Sequence, residues 1–167
     1  MRRVAAAAMA VLVLTTACEG PVPDEGGEAV VAFDTATVAI ETADATVTLQ
    51  TELARTPEQR AHGLMERTSL PRGAGMLFLY PAPQDSTGGF WMFRTRIPLD
   101  IAFLDDDGRI LAIRSMVPCE SPNPRVCPVT SPGRPYRGAL EVNSGYFEEH
   151  GVAVGDRLVL PTEGGVR

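Results

Sequence analysis

From residue 37 onward the chain is patterned mainly with a period of two. "TVAIET" and "TVTLQTEL" alternate apolar and polar residues, with Ala43-Asp44-Ala45 between them. That is a hairpin pattern, with Val38 and Ile40 on one face and Val47, Leu49 and Leu53 joining them. "TPEQRAHGLMER" breaks the alternation. Thr56 can cap a helix, Pro57 suits its first position, and Gln59 stands where a capping-box partner belongs. Ala61, Leu64 and Met65 then share one helical face, so a short helix is predicted over about 57 to 66. "GMLFLY" reads as a strand. Proline and glycine break the chain from Pro81 to Gly89, and "GFWMF" resumes as a strand. "LDIAFLDDDGRILAIRSM" is a hairpin turning at Asp106-Asp107-Gly108, with Gly108 suited to positive φ. "GALEVN" is a further strand. Ser144 or Asn143 can cap a short helix running through His150 and ended by Gly151. "RLVL" is the last strand. The fold class that follows is mainly β (α+β): a small barrel or sandwich-like antiparallel sheet with one or two short helices.

The first residues follow a different rule. Arg2 and Arg3 precede an apolar run from Val4 to Leu14, too short for a bilayer span of about 20 residues. Thr15-Thr16-Ala17-Cys18 follows and resembles a bacterial lipobox, although the usual Leu three places before the Cys is Thr15 here. The reading is a lipoprotein signal peptide over 1–17 and acylation at Cys18, with two or more acyl chains giving stable attachment. The alternative is an ordinary signal peptide cut near Ala17, leaving Cys18 as an incidental thiol. Residues 18–36 are the lipidated Cys and a flexible tether. Its Gly, Pro and acid-rich part, "EGPVPDEGGEA", spans roughly 20 Å. Residues 37–161 form one β-rich domain and 162–167 a flexible end. The expected location is exported and anchored to a bacterial membrane.

Charge narrows the partners. The chain carries a net charge of −6, and loss of Arg2 and Arg3 with the leader makes the remainder more acidic. Nucleic acid, which wants a basic patch, is excluded, and direct adhesion to an anionic lipid surface is disfavoured. Every basic residue is Arg, which removes Lys as a Schiff base or general base. Cys119 and Cys127, in "VPCESPNPRVCPV", read as a disulfide in an oxidising compartment. A metal site using them with His62 or His150 lacks the usual ligand spacing. No metal and no cofactor are expected.

Four ordered blocks carry a resemblance: "RAHGLMER", "GMLFLY", "FWMFRTRIPLDIAFLDDDGRI" and "ALEVNSGYFEEHGVAVGD". Together they are similar to the family known as domain of unknown function 192, whose members are often exported or lipid-anchored. The resemblance implies a compact, mostly β domain with a short helix, and no established activity. Family members commonly read Trp-Met-Lys-Asn-Thr where this chain has Trp91-Met92-Phe93-Arg94-Thr95, so no role for that Lys or Asn side chain carries over.

The candidate chemistry begins with Asp100, between Leu99 and Ile101. A carboxylate inside an apolar strand is costly unless it is paired. Arg60, at the helix edge, or Arg96, near the strand's start, is its expected partner; backbone capping is the other structural solution. Glu141 in "ALEV" poses the same problem. Two acids at one mouth resemble the pair of a glycosidase, which stands about 5–10 Å apart. Trp91, the only tryptophan, is core or a stacking platform. The binding candidates are therefore Arg60, Trp91, Asp100, Glu141 and Asn143, with Asp100 and Glu141 as candidate catalytic acids. No nucleophile elbow, phosphate loop or dinucleotide fingerprint is present. The leading reading is a non-catalytic envelope lipoprotein that binds a small molecule, glycan or protein partner. A glycosidase-like hydrolase and a structural component of a membrane complex are the alternatives.

Overall fold

The computed structural model describes residues 31–159. The leader over 1–17, Cys18, most of the tether and the end at 162–167 lie outside the described residues. In chain order the elements are β1 (Asp34–Glu41), β2 (Thr46–Ala54), α1 (Pro57–His62), β3 (Ala74–Gln84), β4 (Phe90–Trp91), β5 (Leu99–Leu104), β6 (Ile110–Met116), β7 (Val129–Thr130), β8 (Tyr136–Asn143), α2 (Tyr146–Glu149) and β9 (Arg157–Val159). The domain therefore starts three residues before its predicted boundary: Asp34 to Ala36, assigned to the tether, pair with β2.

Seven strands form one curled sheet in the order β6-β5-β8-β3-β2-β1-β9, and β4 pairs with β7 in a separate ribbon. The pairs are antiparallel except β2 with β3, because α1 and its following turns carry the chain back to the same end. The curl brings the two end strands together. Arg109 bridges Arg157, and Leu158 donates to the Gly108 carbonyl at 2.8 Å. The predicted hairpins are present, and Gly108 turns at φ 77°.

Period-two alternation sorts the core into two layers. Val38, Ile40, Leu49, Leu77, Leu140 and Leu158 meet in one cluster. They come from strands on both sides of the closure, which makes this the face inside the curl. Met76, Phe78, Phe90, Ile101, Phe103 and Ala139 form the second cluster on the outer face, covered by β4 and the turns after α1. β5 is consequently buried at all six positions, as expected of a strand with both faces covered.

The short helices depart from expectation at their ends. α1 has the predicted capping box, Thr56 with Gln59, but stops at His62 because Gly63 turns away at φ 52°. Ala61, placed on the buried stripe, is exposed, while Leu64 is buried. At α2 neither Ser144 nor Asn143 caps. The cap position is Gly145, at φ 84°, with no local side-chain cap. The acceptor comes from β5: Asp100 Oδ2 takes the Gly145 N–H at 2.8 Å, and Ser144 Oγ donates to Oδ1 at 3.4 Å. Asp100 is 5% exposed, and its partner is this turn rather than an arginine. Arg60 and Arg96 are engaged elsewhere, which corrects the ion-pair expectation in favour of backbone capping. Asp100→Ala removes the acceptor of the Gly145 N–H and the Ser144 hydroxyl, so urea denaturation should show a loss of about 1 kcal/mol, with α2 amides exchanging faster than in the parent while those of the β3–β8 ladder are unchanged.

Candidate functional site

Adjacent strands in register place paired residues on the same face. Asp100 pairs with Val142, and Ile101 pairs with Glu141. The two acids are therefore on opposite faces of the sheet: Asp100 inside the curl and Glu141 outside it. They cannot flank one bond, and the paired-acid arrangement of a glycosidase is absent.

Glu141 faces a cleft between the turn after α1, β4 and β8. Arg60, Gly63, Leu64, Trp91 and Thr95 line it with Glu141, and its volume is about 30 Å³, room for a water or the tip of a ligand. Glu141 is 4% exposed. Burial alone sets its acidity and pushes its carboxyl up from 4.5 to about 8, with no donor or cation offsetting the effect. Among the described residues no fully enclosed side-chain oxygen or nitrogen lacks a partner, so this carboxyl opens onto the cleft. At neutral pH it is protonated, able both to donate and to accept a hydrogen bond.

The wall residues are held firmly. Arg60 Nη1 donates to the carbonyls of Arg55 and Leu79, and its guanidinium lies 4.9 Å from the Tyr80 ring centroid. It ties α1 to β3. Burial, with Tyr136 close by, pushes the Tyr80 phenol well up, so Tyr80 is an uncharged cover for that cation. Trp91 is 43% exposed, which corrects its reading as core. Its ring stands 5.8 Å from Phe93, and its strand partner is Val129. Thr95, buried at the cleft floor, carried no sequence signal of its own.

Beside the cleft, Glu66 and Arg94 have left-handed backbones, at φ 62° and 58°, a conformation that costs a non-glycine residue about 1–2 kcal/mol. The Glu66 N–H donates to the Arg94 carbonyl at 2.7 Å. The Arg94 and Arg96 guanidiniums converge on the Glu66 carboxylate and hold it below the usual range.

Asn143 belongs elsewhere. Its amide donates to the Leu70 and Pro71 carbonyls at 3.0 and 3.3 Å. It lines an open concavity of about 310 Å³ with Arg72, Tyr146, Glu149 and His150. That hollow is larger, but its charged rim is solvated and its amide is spent on backbone. The structure thus brings together Arg60, Trp91 and Glu141 and separates Asp100 and Asn143 from them. Cys119 and Cys127 form the predicted disulfide, with Cα atoms 5.7 Å apart.

The raised carboxyl of Glu141 has a stability consequence. The folded chain holds a proton that the unfolded chain releases from about pH 4.5, so stability falls as pH rises from there through about 8 and then levels. Glu141→Gln removes this component. Thermal melts across pH should show the variant matching the parent near pH 4 and exceeding it above pH 8.

The domain's relatives are consistent with its architecture. The model of the DUF192 family, described as "Uncharacterized ACR", matches residues 38–160. No curated protein matches the chain. A solved structure from Sinorhizobium meliloti 1021, described as a "putative transcription regulator", is similar at 34% identity and a TM-score of 0.69, covering 77% of this chain and 95% of that one. A protein of unknown function from Novosphingobium aromaticivorans DSM 12444 is similar at 34% identity and a TM-score of 0.64, covering 75% of this chain and 85% of its own.

Proposed function

This chain belongs to the DUF192 family, and from that premise we propose that it is a lipid-anchored envelope binding module whose ligand enters the cleft at Glu141. One observation carries the reading: a buried carboxyl, free of protein partners, opening onto a cleft with an exposed tryptophan at its rim. A protein that only needed to fold would gain by replacing Glu141 with an apolar residue, since an unpaired buried polar group costs about 1–3 kcal/mol. A ligand that meets the carboxyl repays that cost.

The cleft sets the ligand's shape. Only a small polar tip, such as a hydroxyl or carbonyl, fits beside Glu141, while a flatter apolar portion can lie on Trp91 outside. A glycan or other small polar molecule suits this division. The single acid at the cleft favours binding over hydrolysis, because the second carboxyl that a glycosidase needs is on the other face of the sheet.

The envelope part of the proposal rests on the leader-like "RRVAAAAMAVLVLTTAC". Mass spectrometry of protein extracted from membranes should find Cys18 as an acylated N-terminus. An unmodified N-terminus at Cys18 or beyond would leave a secreted protein without an anchor. For the cleft, a thermal-shift screen of saccharides and small polar metabolites should yield a ligand whose stabilisation is lost in both Glu141→Ala and Trp91→Ala. A ligand that stabilises both variants as well as the parent would place the site elsewhere.

A further inference from the structure

The exposed apolar residues are not spread evenly. Of the six large exposed hydrophobics among the described residues, four belong to one lobe, Trp91, Val117, Val126 and Val129, with exposures of 43%, 76%, 62% and 62%, while Val154 and Val159 lie outside it. This lobe is the β4–β7 ribbon and the loop before it. It is one body: Trp91 pairs with Val129, Phe93 bridges Cys119, and Cys119 is joined to Cys127. Pro118, Pro122, Pro124 and Pro128 stiffen the loop, so the apolar side chains are presented with little entropy left to lose.

Charge is segregated onto the same lobe. Residues 90–97 and 117–135 hold Arg94, Arg96, Arg125 and Arg134, all exposed, and one acid, Glu120. Glu66 neutralises part of the Arg94–Arg96 pair. The lobe remains cationic on a chain whose net charge is −6. The overall acidity that disfavours an anionic surface describes the remainder of the domain, not this end.

We infer that the β4–β7 lobe is a docking foot for an anionic lipid surface, with Trp91 and the exposed valines entering the headgroup region and the arginines meeting its phosphates. Tryptophan is favoured at that depth because its ring is apolar with one polar edge. Apolar burial and basic residues act together in such interfacial binding. The acidic remainder of the domain is repelled by the same surface, so the charge asymmetry orients the molecule foot down. Since Trp91 also rims the Glu141 cleft, docking sets the cleft mouth at the bilayer surface.

Trp91 is the only tryptophan and reports on the lobe directly. The purified full chain is mixed with phosphatidylcholine vesicles, with or without phosphatidylglycerol, and no other ligand. An N-terminal anchor would hold the chain on both alike, so attachment alone gives no difference in emission. The expected result is a blue shift of Trp91 emission, with quenching by brominated acyl chains, on the anionic vesicles only and abolished by high salt. Arg125→Glu with Arg134→Glu should reduce the anionic preference at least about tenfold, while Arg72→Glu, 93% exposed on another part of the surface, leaves it unchanged. No shift on either vesicle, or an equal shift on both, overturns the inference. A shift evoked by an acidic polypeptide but not by vesicles also overturns it and makes the lobe a protein-docking surface.

Discussion

The constraint on which the structure depends is that the centre of the sheet has no wet face. β5 is buried throughout, and so is most of β8 beside it. A polar side chain on either strand must find a partner in the protein or an opening. Asp100 and Glu141 are the two acids in that position, and they meet it in opposite ways. Asp100 takes a backbone N–H and a hydroxyl from the turn that starts α2, fastening the helix against the inside of the curl. Glu141, one strand away and on the other face, has no such partner and keeps its proton instead.

That contrast separates structural polarity from polarity that is available for recognition. Arg60 and Asn143 are polar and partly enclosed, but their donors are committed to main-chain carbonyls. They join α1 to β3 and β8 to the loop before β3. Glu141 alone among the candidate residues is both buried and uncommitted. Beside the cleft that reaches it, the left-handed Glu66 and Arg94 join the turns after α1 to the segment after β4 through one main-chain hydrogen bond. The disulfide lobe then continues from that same strand.

Much of the local structure was legible in the residues. The alternation in "TVAIET" and "TVTLQTEL", the Thr56–Gln59 capping box and the Asp-Asp-Gly turn each rest on neighbours within a few positions, so sequence spacing is enough to find them. The α2 cap was not legible. Ser144 and Asn143 carry the right chemistry for it, but the acceptor arrives from Asp100 on β5, paired beside β8. Trp91 was equally ambiguous. Its aromatic neighbours Phe90 and Phe93 suggest core, yet a two-residue strand in a separate ribbon turns it outward.

The sequence by itself determined the mainly β class, the hairpins, the start of α1, the cysteine pair, and the fact that two acids sit within apolar strands. These follow from periodicity and composition, which act along the chain. Only the tertiary structure decided which acid is satisfied, that the two face opposite ways, and that Trp91 comes to share one lobe of an acidic domain with three exposed valines and four exposed arginines. Those outcomes depend on strand register and on which segments pack against which face. A shift of one residue in the β5–β8 pairing would reverse the faces of β8 relative to β5, and nothing in either strand alone encodes that pairing.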